Sequence, residues 1–305
     1  MSLAYITHQD CELHFMGEAH PESPERLQAI EKHIAASPIA DSLTRYQADL
    51  ADRRSLQRAH SSTHIESIFN ASPNSGSVPI DPDTLMNPHS LNAALRAAGA
   101  GIQAVDMILG GHHDRAFCAV RPPGHHAEYA KAMGFCLFNN IAIAAAHALQ
   151  QEQIERVAIL DFDVHHGNGT EDIFKEDPRI LFCSTFQHPF YPYCGADTRR
   201  SHIVNVPLEA QSTAAEFRRA VSDIWLPAVA AHRPQLILIS AGFDAHKDDI
   251  LGGLALEEPD YHWVTKEICS WADQFCQGRV ISFLEGGYTL DALSRSVVAH
   301  LEALI

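Results

Sequence analysis

Asp161, Asp163 and His165 alternate with Phe162 and Val164 near the end of the segment Arg156–Thr170, RVAILDFDVHHGNGT. The apolar run Val157-Ala158-Ile159-Leu160 before them predicts a buried strand. Side chains of a strand alternate faces, so two carboxylates and an imidazole are expected to share one side. Gly167 and Gly169 predict a turn that ends the strand. Buried carboxylates without partners are costly and commonly pair or coordinate a cation. A lone D-x-H reads about equally well as a strand end with solvated acids, because short motifs recur by chance. The rest of the chain has to decide between the two.

Three further groups stand in corresponding places. His125-His126 follow the apolar run Ala116–Val120 through Arg121-Pro122-Pro123-Gly124. Asp244 follows Gln235–Ser240, and Tyr288 follows Arg279–Leu284 through Gly286-Gly287. Each lies just past the carboxyl end of an expected strand, the edge where open parallel sheets bind ligands. Asp163, His165 and Asp244 are an N/O set for one divalent metal with a position left open, the catalytic arrangement. Such ligands suit Zn²⁺, with Fe²⁺ and Co²⁺ as alternatives. A metal there would lower the pKa of water to about 7 and polarise a carbonyl. His125 and His126 fit general acid/base work, although tandem histidines in a surface loop usually do nothing. Asp161 and Asn168 are candidates to hold their outer nitrogens and fix the tautomers. Tyr288 is a candidate oxyanion donor; taken alone, it reads as an ordinary tyrosine after a turn. Phe135, after Gly134, and Tyr191 are candidates to line an apolar slot, though aromatic residues more often fill a core.

The elements that must position these groups read as strand, helix, strand, helix. Strands are expected at 3–7, 116–120, 156–163, 179–184, 204–208, 235–240 and 279–284. Helices are expected at about 24–36, 52–70, 90–110, 139–151, 213–232, 259–277 and over the closing residues. Ser23 is the expected cap of the first helix, and Asn139 or Asn140 that of the fourth. Pro227 is expected to kink the helix 213–232. Residues 71–90 read as a long loop. No linker or repeat interrupts the pattern, which predicts a single α/β domain, 1–305, with a mostly parallel sheet. At 46% hydrophobic and 20% charged, the 305 residues fit a soluble globular protein. The formal net charge of −16 argues against nucleic acid as a direct ligand and is compatible with a cationic substrate. No apolar run reaches the ~18 residues of a membrane helix. The opening residues lack a secretory pattern. Seven cysteines without a C-x-x-C pair suit a reducing cytoplasm.

In order along the chain, RPPGHHA, LDFDVHHGNGT, SAGFDAHKDD and LEGGY closely resemble the zinc-dependent histone deacetylase superfamily, which includes acetylpolyamine amidohydrolases. The likeness runs from HPESPER through LEGGY and is nearest the class II type, because Asn168 stands where class I members carry Asp. It implies a three-layer α/β/α arginase/deacetylase-like fold around an eight-stranded sheet. It further implies Zn²⁺ on Asp163, His165 and Asp244, His126 as the likelier proton shuttle of the His125/His126 pair, and Tyr288 on the acyl carbonyl. Phe135 and Tyr191 would flank an acyl-lysine tunnel. A K⁺ site would use Asp161, Ser184 and Thr185. The implied reaction is removal of acetyl or another acyl group from lysine, or from a polyamine or other small amine. Departures fall near the pocket rim: Tyr193-Cys194-Gly195, Ile250, and Leu251, where a polyamine-specific member carries an acid. They bear on substrate preference rather than on the chemistry. Two rivals remain. A two-metal ureohydrolase needs a second D-x-D set, which Asp244-Ala245-His246 lacks. A non-catalytic acyl-lysine binder would have no use for the full catalytic set.

Overall fold

Apolar runs bounded by turn residues become the strands of one sheet. The computed structural model describes residues 3–305. Its strands are β1 Leu3–Thr7, β2 Leu43–Gln47, β3 Val78–Pro79, β4 Leu85–Met86, β5 Arg115–Cys118, β6 Val157–Asp161, β7 Ile180–Gln187, β8 Ile203–Leu208, β9 Leu236–Ala241 and β10 Val280–Leu284. β3 and β4 form a small antiparallel pair of their own. The other eight make one sheet in the order β2-β1-β5-β10-β9-β6-β7-β8, with every neighbouring pair parallel. Parallel strands are covered on both faces, and the middle of this sheet shows it: β6, β9 and β10 are buried at every position. Helices Glu25–Ala35, Glu258–Phe275 and Leu290–Leu304 pack together in one layer, and Ser90–Leu109 packs with Asn140–Ala148 in the other. The fold is a three-layer α/β/α sandwich.

The strand order decides where the functional side chains meet. β5, β10, β9 and β6 are consecutive in space although far apart in sequence. Their carboxyl ends lead into His125-His126, Glu285–Tyr288, Asp244 and Asp163/His165 respectively. Four scattered motifs therefore open onto one stretch of sheet edge.

Several sequence expectations need correction. β6 ends at Asp161, so Asp163 and His165 lie beyond the strand, and local hydrogen bonds rather than strand alternation orient them. Gly167-x-Gly169 does not end a strand; a helix, Asn168–Phe174, begins there. Residues 52–70 break into two helices, Arg53–Leu56 and Ser62–Ala71. The first long helix is capped at Pro24 without a side-chain bond, so Ser23 is not its cap. Asn139 does cap its helix, its side chain accepting from the Ala142 amide at 3.0 Å. In place of a simple kink at Pro227, the π-helical segment Val221–Trp225 links Ala214–Ala220 to Leu226–His232.

Candidate active site

Asp163 is held by amides on both sides of the cleft. Its Oδ1 accepts the His165 amide at 2.9 Å, and its Oδ2 accepts the Gly286 amide, from the end of β10, at 2.8 Å. Asp244 Oδ1 accepts the Val164 amide at 2.9 Å. His165 Nδ1 faces both carboxylates, 3.0 Å from Asp163 Oδ1 and 3.2 Å from Asp244 Oδ2. One ligand atom from each of the three lies within 4.8 Å of the others. All three residues are buried.

These residues fit a divalent cation on the structure's own terms. Asp244 Oδ2 is buried without a well-directed hydrogen bond, a costly vacancy for a carboxylate oxygen. Burial works against protonation of His165, yet bonds and charge from Asp163 and Asp244 push it up to about 10. Burial, with the Asp163 charge beside it, pushes Asp244 up to about 7. Two carboxylates and an imidazole nitrogen thus converge where positive charge is demanded, and a cation can meet that demand once the imidazole gives up its proton. Gly286 makes the cradle possible, because a Cβ at that position would lie 1.9 Å from Asp244 Oδ2.

The histidine pair stands beside this set with ring centres 4.0 Å apart. His125 Nδ1 meets Asp161 Oδ2 at 3.0 Å, and its Nε2 lies 3.8 Å from Asp163 Oδ2. Burial opposes its charge, but Asp163 and Asp161 outweigh it and raise His125 to about 10. His126 is pushed the other way, well down, by burial and by the neighbouring His125 and His165. Its Nδ1 meets Asn168 Oδ1 at 2.8 Å. Asn168 Nδ2 donates to Glu128 Oε1 at 2.8 Å, which fixes the amide so that its oxygen faces His126. An amide oxygen only accepts, so His126 carries its proton on Nδ1 and keeps a lone pair on Nε2.

The cleft above is about 480 Å³, the size of a small-molecule site. Gly134, Phe135, Tyr191, Leu251, His126, His165 and Tyr288 all line it. Phe135 stands edge-on to Tyr288 at 5.9 Å, and His126 edge-on to Tyr191 at 5.2 Å. Gly134 has a φ of +57°, and a Cβ there would come within 2.5 Å of the His126 ring. Burial keeps the Tyr288 phenol protonated, well above its ordinary range, even with Arg26 near its ring. Asp161 and Ser184 sit opposite each other on β6 and β7. Ser184 Oγ lies 3.2 Å from His166 Nδ1, and Thr185 is the next residue along β7.

Sequence reasoning missed the residues that hold this set in place. Glu285 Oε2 accepts the Gly124 amide at 2.7 Å and the His125 amide at 3.2 Å, while Ser240 Oγ donates to its Oε1 at 3.2 Å. One carboxylate thereby joins β10, β9 and the histidine loop. Asp249 Oδ2 accepts the Tyr288 and Thr289 amides at 2.7 and 3.0 Å. Arg26 Nε donates to the Gly287 carbonyl at 2.7 Å, and its Nη2 to that of Glu285 at 2.5 Å. Glu22 binds Arg26 and Arg121, all three fully buried. Position within HPESPER, RPPGHH, DAHKDD and LEGGY was the available signal; nothing local marked the partners.

Residues 20–304 match the histone deacetylase domain. This chain belongs to the histone deacetylase family. The HDA15 HD domain superposes with a TM-score of 0.91 at 34% identity, over 99% of this chain and 90% of that one. Type-2 histone deacetylase 2 of Dictyostelium discoideum is 36% identical over 98% of this chain, which spans 20% of that longer protein. An uncharacterised protein of Synechocystis is 38% identical, with 96% of each chain aligned. A histone deacetylase fold thus surrounds the converged carboxylates and imidazoles. Family membership supports deacetylase chemistry on an acylated amine.

Proposed function

We propose that the chain is a metal-dependent deacylase that hydrolyses the amide between an acyl group, most simply acetyl, and the side-chain nitrogen of lysine. The observation that carries this reading is the convergence of Asp163 and Asp244 on His165, which itself lines a cleft shared with His126 and Tyr288. A divalent cation held there, Zn²⁺ as the best match to the donor set, supplies Lewis acidity toward a carbonyl oxygen and toward water. The chain's own groups do the rest. His126 Nε2, with its lone pair free, takes a proton from the attacking water. Tyr288 donates to the carbonyl oxygen as that atom gains negative charge. His125 stays charged against Asp161 and adds positive potential beside the developing anion. The proton taken up at His126 then passes to the leaving nitrogen as the C–N bond breaks, so amide and water become carboxylic acid and amine, which part as carboxylate and ammonium once the acid's proton is transferred to the amine. Phe135 and Tyr191 keep water from the walls around the acyl chain. For K⁺, the support is the pairing of Asp161 and Ser184 across adjacent strands, with Thr185 alongside.

The test is acetate release from acetyl-lysine peptides, longer acyl-lysines and acetylated polyamines, before and after chelation and Zn²⁺ repletion. Chelation is expected to abolish turnover and about one Zn²⁺ per chain to restore it. Two ions per active chain would favour the ureohydrolase rival. Metal-loaded protein that binds acetyl-lysine but never releases acetate would favour the binding-protein rival.

A further inference from the structure

The two most exposed large apolar side chains among the described residues are Tyr193, at 75%, and Ile250, at 68%. Both line the cleft that holds the candidate site. Isolated surface hydrophobics are ordinary, but two at one cleft mouth ask for a reason. Tyr193 adopts a φ of +62°, a left-handed backbone that bulky residues rarely take. Its amide donates to the Phe190 carbonyl at 2.8 Å. Asn205 Nδ2 donates to the Gly195 carbonyl at 2.9 Å and to Glu171 at 2.7 Å, which pins the far side of the turn. Ile250 is fixed between Asp249, which binds the Tyr288 loop, and Leu251, whose amide donates to Asp249 Oδ1 at 2.9 Å. Both lips are therefore built to present an apolar side chain to solvent.

Charge narrows the occupant. Asp83 is the single carboxylate lining the cleft among the described residues. An acylated polyamine brings repeated cationic amines, which the Asp81–Asp83 pair can meet, but no apolar branch, so it leaves Tyr193 and Ile250 wet. A polypeptide brings side chains on either side of its acylated lysine. Resting on the deacylase reading above, in which the substrate is an acylated lysine, we infer that Tyr193 and Ile250 select the residue beside that lysine, receiving an apolar or aromatic side chain there. Covering them removes apolar surface from water only in such a complex.

The experiment uses the metal-loaded protein and acetyl-lysine peptides that differ at one flanking position, Phe or Leu against Gly or Asp, together with an acetylated polyamine. The apolar-flanked peptides are expected to show kcat/KM on the order of tenfold higher than the Gly-flanked ones, the difference lying in KM. In a Tyr193→Asn, Ile250→Ser double variant that ratio falls to about one. Asn tolerates the left-handed backbone, so the turn should survive the change. An unchanged melting temperature checks this. A flank ratio near one in the wild type, a ratio that survives in the double variant, or faster turnover of the polyamine than of every peptide overturns the inference while sparing the deacylase reading. No acetate release from any of these substrates overturns both.

Discussion

Tyr288 can act as a hydrogen-bond donor only while it holds its proton, and burial keeps it protonated throughout the ordinary pH range. Removing that hydroxyl deletes one preorganised donor and touches none of Asp163, His165 or Asp244. Tyr288→Phe is expected to retain metal, measured by elemental analysis, and to lose roughly 10²–10³ in kcat. Wild-type turnover in that variant would remove the phenol from the mechanism. His126 makes a different demand. Glu128 orients Asn168, Asn168 orients His126, and the lone pair is left on Nε2. His126→Ala is expected to cost about 10²–10⁴ in kcat with metal retained. A loss as small as twofold would mean that another group takes the proton.

At the scale of elements, the site is held by carboxylates that bind backbone or buried arginines across long sequence distances. Glu22 is the clearest case. Burial disfavours its charge, but Arg121 foremost, with His14 and Arg26, outweighs that and draws the carboxyl from 4.5 down to about 2. A depressed carboxyl adds stability above its unfolded value, and that stability is lost as pH falls from about 4.5 toward about 2. Glu22→Gln leaves two buried guanidinium groups short of a counter-charge and is expected to destabilise by roughly 3–5 kcal/mol at neutral pH in denaturant unfolding. Below about pH 4 the gap to wild type should narrow; a constant gap would show that charge is not the source. These ties also explain what the sequence could and could not disclose. Buried runs such as VAILD, LILISA and VISFL announce central strands, and the groups just after them announce the sheet edge. β2, LTRYQ, passes unnoticed because no residue of this edge strand is fully buried, so it carries no apolar run. The helix Asn168–Phe174 hides behind Gly167 and Gly169, which read as a turn. Asp163, His165, Asp244, the histidine pair and Tyr288 stand out by type and place. Glu285, Asp249 and Arg26 do not, because their partners are amides and carbonyls brought close only by the parallel strand order.

For the whole molecule, charge sets how a substrate arrives. The chain carries 38 acids against 22 Lys and Arg, a formal net charge of −16. Such a field attracts cationic peptides from a distance, raising the rate of encounter more than the strength of contacts made inside the cleft. Most of that charge lies away from the cleft, whose wall carries Asp83 as its single lining carboxylate among the described residues, with Asp81 bonded to the Asp83 amide. Steering by the distributed field should therefore be screened by salt, while apolar contacts at Tyr193 and Ile250 should not. Raising ionic strength from about 0.01 to about 0.15 M shortens the screening length from about 30 to about 8 Å. Over that range kcat/KM for a lysine-rich acetylated peptide is expected to fall several-fold through KM, and that for a neutral peptide of equal length to stay nearly constant. Parallel salt curves for the two peptides would show that the field does not steer substrate. A fall confined to the cationic peptide, with the preference for an apolar flank intact at high salt, would separate long-range attraction from recognition at the mouth.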